Sequence, residues 1–184
     1  MISEANELIV RPAAEADAQD LADMVDDFVR GHPAERHPRP LETLRNAYFG
    51  REPVARVLVA VRRQRIVGMG QWTRIYDMFW AKCGGHMEWL YVRPEARGIG
   101  ISGAIMAAIC ADIRHSGGEY LSASYGEGLA KLYERVAVGS PARTCRLSGE
   151  GFQTLADLAG APAREIVRRL PSPELSRTPA RSRP

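Results

Sequence analysis

Three apolar residues, Leu8-Ile9-Val10, run into Arg11-Pro12, and a proline that cannot continue a sheet ladder closes what reads as a short first strand. Over residues 14–30 the period lengthens. Leu21, Met24, Val25 and Phe28 recur at helical spacing, and Asp20, Asp23 and Asp27 hold the opposite face, the pattern of a helix laid on a core with its other side solvated. Pro33, Pro38 and Pro40 then mark a turn, after which a second short helix is predicted over Leu41–Phe49. Residues 54–61 and 65–76 read as paired strands joined through Arg62-Arg63-Gln64-Arg65, and residues 86–92 as the next strand. Ile101, Ile105, Ala108, Ile109 and Ile113 form one stripe, with Met106 and Cys110 beside it, wide enough for a helix packed on a sheet. Beyond it a strand is predicted at 119–125, a short helix at 128–136, a last strand at 143–147 and a final helix from about 152 to 169, stopped by Pro171 and Pro173. The order is that of a mixed α/β layer, without internal repeats.

The junction between the strand ending at Val92 and the helix beginning near Ile101 carries the chemistry. Leu90-Tyr91-Val92-Arg93-Pro94-Glu95-Ala96-Arg97-Gly98-Ile99-Gly100-Ile101-Ser102 is a strand, a loop with two glycines and a helix N-terminus in immediate succession. Backbone N–H groups at such a terminus have no intrahelical partner and point at an anion, and glycines let the main chain approach it. A P-loop would require Gly-Lys-Ser/Thr, which is absent. Gly98-x-Gly100-x-x-Gly103 does satisfy the letters of a dinucleotide fingerprint, but it sits mid-chain after several strands. Asp112 and Glu119 also fall too early, or on the wrong element, to hold a ribose.

Arg97-Gly98-Ile99-Gly100-Ile101-Ser102 resembles the pyrophosphate loop of the GNAT N-acetyltransferase superfamily, Gln/Arg-x-x-Gly-x-Gly/Ala, and the preceding Leu-Tyr-Val-Arg-Pro-Glu resembles the strand that carries it. Ser102 departs from the usual Gly or Ala but is small. The resemblance covers most of residues 8–147, is strong over 88–106 and moderate at Leu132-Tyr133-Glu134. It implies a central, mostly antiparallel sheet with helices on both faces, splayed where the strand of Leu90 parts from that of Ser122. The pantetheine arm of acetyl-CoA would lie in that gap. Leu90, Tyr91 and Val92 would face the acyl end through a β-bulge, and Arg97, Gly98, Ile99, Gly100, Ile101 and Ser102 would hold the pyrophosphate. The implied activity is acetyl-CoA-dependent N-acetylation of a primary amine on a small molecule or peptide. A non-catalytic acetyl-CoA-binding module, or an enzyme using another acyl-CoA, stands beside it.

Two residues are candidates for moving protons. Strand alternation would put Glu88 on one face with Leu90 and Val92, and Trp89 and Tyr91 on the other. The resemblance implies a base at Glu88, because polyamine acetyltransferases of the superfamily place a glutamate there; a strand carboxylate paired with an arginine is the plain alternative. Tyr133 lies in a segment similar to the family's Leu-Tyr-Glu helix. A phenol stays protonated at neutral pH and can donate to a departing thiolate; a packed core tyrosine is the alternative. The family's frequent Asn near that helix start is replaced by Tyr125-Gly126-Glu127-Gly128, and its Gly-Phe ending by Val136-Ala137-Val138-Gly139-Ser140. No Ser–His–Asp or Cys–His arrangement is visible in the sequence, so direct transfer is expected.

Length and charge narrow the partners. A chain of 184 residues with 45% hydrophobic residues fits one domain, expected over residues 1–170, followed by a disordered basic tail containing Arg177, Arg181 and Arg183. A net charge of +3 is mild, and no nucleic-acid footprint is expected. No signal peptide or membrane span is evident, and the three separated cysteines do not suggest a disulfide framework, so a cytoplasmic location with no membrane partner is expected. Cys83 and His86 have the spacing of two metal ligands but no second pair, and no metal is expected. Trp72, Tyr76, Phe79, Trp80 and Trp89 make an aromatic-rich stretch that reads as core or homodimer contact, with an acceptor pocket or lid around Tyr76 to Trp80 as the sharper reading.

Overall fold

The computed structural model describes residues 8–30 and 38–124. All of them belong to one structural unit, Met1–Ala130; the second unit, Lys131–Pro184, lies outside them. Strand β1 (Leu8–Pro12) is followed by helices α1 (Ala18–Val29) and α2 (Leu41–Phe49). Strands β2 (Arg56–Arg62), β3 (Arg65–Asp77) and β4 (Lys82–Val92) come next, then helix α3 (Ile101–His115) and strand β5 (Leu121–Ala123). The five strands form one sheet in sequence order. Pairs β1–β2, β2–β3 and β3–β4 are antiparallel, and β4–β5 is parallel. This is the expected mixed α/β fold with helices on both faces.

Glycine spacing decides how α3 meets the sheet. A Cβ built on Gly70 would stand 2.6 Å from Ile105 Cγ2 and 2.8 Å from Ile109 Cδ1; one on Gly85 would stand 2.4 Å from Ile113 Cδ1. The stripe Ile101, Ile105, Ile109 and Ile113 therefore rests directly on main chain, and all four are buried. On the other face Leu21 and Met24 of α1 pack against Val57, Val59, Met69 and Tyr91, with Leu44 and Tyr48 of α2 beside them.

Several boundaries differ from the periodicity reading for identifiable reasons. The helix predicted over 14–30 opens as a separate 3-10 turn, Glu15–Asp17. There the Asp17 carboxylate accepts the Ala14 N–H at 2.7 Å and two bonds from the Arg11 guanidinium at 2.6 and 3.0 Å. β4 begins at Lys82, four residues early, because Cys83 and Gly84 pair with Tyr76 and Ile75 of β3. Glycines disfavour a strand by themselves, but here Tyr120 and Ile113 stand where their side chains would be. β2 is shifted by one or two residues from the predicted 54–61, and the hairpin to β3 turns through Arg63 and Gln64, both in the left-handed region. No helix among the described residues is long and apolar enough to cross a membrane.

The Asp17 cluster makes a stability prediction. Hydrogen bonding from Arg11 is the main cause that holds the Asp17 carboxyl below the ordinary carboxylate range, against an opposing desolvation. A lowered folded-state pKa contributes stability that is present above the unfolded value and lost as pH falls through the folded one. Arg11 is 40% exposed, so the contribution is discounted for screening. Asp17→Ala should cost about 1–2 kcal/mol at pH 7, and the gap to the parent should close as the pH falls below about 4. Urea titrations of both proteins at pH 7 and at pH 3 measure it; a gap that persists undiminished in acid would contradict it.

Candidate active site

A cavity of about 610 Å3 opens where β4 ends. Leu90, Tyr91 and Val92 form one wall, the loop through Pro94, Ala96, Arg97, Gly98 and Gly100 the floor, and Ile101 and Ser102 the start of α3; Asp27 and Phe28 of α1 close the opposite side. The loop is held by its arginines. Arg93 donates from its backbone N–H to Val67 O at 2.9 Å and from Nε to Ile66 O at 3.1 Å; Arg97 Nε donates to Val92 O at 2.9 Å while its guanidinium lies over the Tyr91 ring.

Gly98 and Gly100 both take left-handed φ, +81° and +87°. Gly100 is the N-cap of α3, and the first intrahelical bond is Ala104 N–H to Gly100 O, 3.0 Å. The N–H groups of Ile101, Ser102 and Gly103 precede that bond, so helix geometry gives them no intrahelical partner. No acidic residue stands in the first turn of α3. A Cβ built on Gly98, Gly100 or Gly103 would meet no protein atom within 4 Å, so the main chain here opens outward. Left-handed glycines, unpaired amides, a nearby guanidinium and a helix dipole suit a diphosphate. The residues present fit the pyrophosphate of an acyl-CoA.

β4 carries a bulge, but at Glu88 and not over residues 90–92. Trp72 pairs with Met87 and Gln71 with Trp89, so Glu88 opposes no residue of β3. Two indoles explain it. Trp72 is buried toward α3, its Nε1 donating to Asp112 Oδ2 at 3.1 Å, whereas the Trp89 ring lies against Phe28 of α1, centroids 4.6 Å apart. Met87 goes with the first and Trp89 with the second. Ordinary alternation would put both on one face, and one extra residue resolves the conflict. The bulge also corrects the expected grouping of Glu88 with Leu90 and Val92. Those two pair with Gly70 and Gly68 under α3, while the Glu88 carboxylate lies 3.7 Å from Nε2 of His86, which pairs with Thr73 on the opposite face.

The bulge follows the last β4–β5 pair among the described residues, where β5 pairs with β4 at Gly85, His86 and Met87. The chain that continues from β5 lies outside the described residues, and with it the splay that the resemblance implies. Beside the bulge, His86 Nδ1 lies 3.0 Å from Ser122 Oγ of β5. Neither residue stood out in the sequence as a partner of the other.

Of the candidates named from sequence, Leu90, Tyr91, Val92, Arg97, Gly98, Gly100, Ile101 and Ser102 line the cavity. Ile99 is 55% exposed and does not, nor does Glu88, two residues along the strand. Tyr133 lies outside the described residues. Asp27 and Phe28 were missed as cavity residues because they read as parts of a solvated and a buried face. Asp27 is paired with Arg30 at 2.7 Å and Arg93 at 3.3 Å, and Asp20 and Asp23, of the same predicted solvated face, do not line the cavity. Of the aromatic stretch, Trp72 is buried in the core and Trp89 packs against it, whereas Tyr76, Phe79 and Trp80, at 63, 92 and 74% exposure, stand with Met78 at the β3–β4 turn and are not core.

The comparisons agree with this geometry. Solved structures of similar fold include an acetyltransferase of Trypanosoma brucei (22% identity, TM-score 0.63, covering 78% of this chain and 100% of that one). A ribosomal-protein-alanine N-acetyltransferase of Brucella melitensis biovar Abortus 2308 is also similar (17%, 0.64, covering 78% and 100%). So is an aminoglycoside N-acetyltransferase in complex with CoA (11%, 0.64, covering 82% and 99%). These identities bear on fold alone. No curated protein sequence matches the chain. The family model for GNAT acetyltransferases matches residues 21–137, from within α1 to beyond β5, and the chain belongs to that family.

Proposed function

We propose that the protein transfers an acetyl group from acetyl-CoA to a primary amine of a small molecule or peptide, by direct attack of the amine on the thioester. One observation carries the cofactor half: the left-handed Gly98 and Gly100 at the acid-free N-terminus of α3, open to the cavity beside β4. Acetyl-CoA supplies an acyl group already activated as a thioester. The chain's work is to hold it, to orient its carbonyl and to move protons. The backbone of residues 90–92 is the proposed carbonyl contact, where fixed N–H donors would meet developing negative charge without reorganising. Glu88 is proposed on the proton-accepting side and Tyr133 as donor to the thiolate. Support for an amine acceptor comes from similar structures, two of which are N-acetyltransferases by name, one of ribosomal-protein alanine and one of aminoglycosides.

The test is release of free CoA thiol from acetyl-CoA across a panel of polyamines, aminoglycosides, amino acids and peptide N-termini. Acetyl-CoA binding without thiol release for any amine would overturn N-acetylation. With the best amine, Tyr133→Phe should lower kcat on the order of a hundredfold while acetyl-CoA affinity stays nearly constant. A variant with unchanged kcat would make Tyr133 a packing residue.

A further inference from the structure

We propose that His86, fixed by Ser122 and backed by Glu88, is the proton acceptor for the attacking amine; the inference rests on the acetyltransfer reading and names the proton path of that same site. The three groups come from the paired strands β4 and β5. His86 and Glu88 flank Met87 at the bulge in β4, and Ser122 stands on β5, one residue before the last β4–β5 pair, Met87 with Ala123. The cavity follows β4 from Val92 to Leu90, and the strand continues from there through Trp89 to Glu88. The trio thus lies midway along β4, beyond Leu90 and outside the lining of the cavity itself, on the side toward which the thioester end of an extended acyl-CoA would point.

One tautomer makes His86 a base at Nε2. Ser122 Oγ lies 3.0 Å from His86 Nδ1 and 3.4 Å from Gly85 O, a carbonyl that only accepts. In the proposed tautomer the Ser122 hydroxyl donates to Gly85 O and accepts from Nδ1–H. In the neutral ring Nε2 then holds the free pair. Nε2 is the atom 3.7 Å from Glu88 Oε2, so a proton captured there forms an ion pair with that carboxylate. That tautomer does not serve a nucleophilic serine, whose proton would have to go to the imidazole. It suits a base: an imidazole is intrinsically more basic than a carboxylate and so better matched to an alkyl ammonium.

The protons balance as follows. The bound ammonium gives one proton to Nε2. The freed nitrogen pair forms the C–N bond as the C–S bond breaks with its electrons on sulfur, and the second N–H proton compensates the thiolate. The proton on His86 leaves past Glu88, whose side chain is 45% exposed, to solvent. Amine, thioester and one water-borne proton account for every atom, and no other reactant is needed.

Steady-state kinetics of the full chain with acetyl-CoA and the best amine of the panel test it. His86→Gln should lower kcat on the order of a hundredfold with the KM for acetyl-CoA within about twofold of the parent. His86→Ala should fall as far and regain about tenfold with free imidazole in the assay. Ser122→Ala should lower kcat by about tenfold and, in nitrogen-15 spectra of the protein, shift His86 from the Nδ1–H tautomer toward a mixture. Melting temperatures equal to the parent's exclude misfolding as the cause. A fully active His86→Gln, or a loss in His86→Ala that imidazole does not restore, overturns the proposal while leaving acetyl transfer intact. A wild-type chain that releases no thiol with any amine overturns the acetyltransfer reading itself, and needs no variant to show it.

Discussion

Gly100→Asp is expected to reduce CoA affinity at least on the order of a hundredfold in titration calorimetry, through charge and conformation and not through a clash. Gly100 takes φ of +87° at the N-cap of α3, and a Cβ there meets nothing within 4 Å. Any L side chain pays about 1–2 kcal/mol for that conformation. A carboxylate adds repulsion of about 1–4 kcal/mol toward a phosphate some 4 Å away, between full water screening and that of a protein surface. It also cancels the favourable end of the helix dipole. Gly100→Ala carries only the conformational part and should lose no more than about thirtyfold. The pair of variants separates the two causes. Equal, small losses for both would mean that the anion is bound elsewhere, and the glycine loop would lose its role.

What the residues revealed beforehand follows from how local each feature is. β1 and α2 stand at the expected Leu8–Pro12 and Leu41–Phe49 because proline or glycine punctuates both. The glycine loop was legible because its left-handed turns restrict the residue type at Gly98 and Gly100. The bulge was not. It exists because Trp72 is held by Asp112 of α3 while Trp89 is held by Phe28 of α1, contacts between distant segments that no alternation count contains. For the same reason the face of Glu88 came out wrong and His86–Ser122, 36 residues apart, went unseen. At the end of α1, Val29 is buried at 4% exposure and Phe28 is left 48% exposed against the rings of Trp89 and Tyr91, the reverse of the periodicity reading. Tyr133 rests on resemblance, since it lies outside the described residues.

The helix that follows the glycine loop should prove sensitive to glycine on one side and indifferent on the other. At Gly70 a new side chain would enter a contact with no slack: Ile105 Cγ2 and Ile109 Cδ1 lie 2.6 and 2.8 Å from the Cβ position, and both isoleucines are fully buried. Close packing leaves them only strained rotamers or a lifted helix, so Gly70→Val should cost about 2–3 kcal/mol despite the better strand propensity of valine. Leu90 Cδ1 stands 3.7 Å from the same point, so the disturbance reaches the cavity wall, and CoA affinity should fall with stability. Gly103, in the first turn of the same helix, has open space around its Cβ position and no left-handed φ. There alanine should stabilise the fold by about 0.5–1 kcal/mol through helix propensity. Urea denaturation of both variants decides it. A Gly70→Val protein as stable as the parent would mean that α3 is not seated on the glycines of β3, and the position of its N-terminus beside β4 would need another explanation.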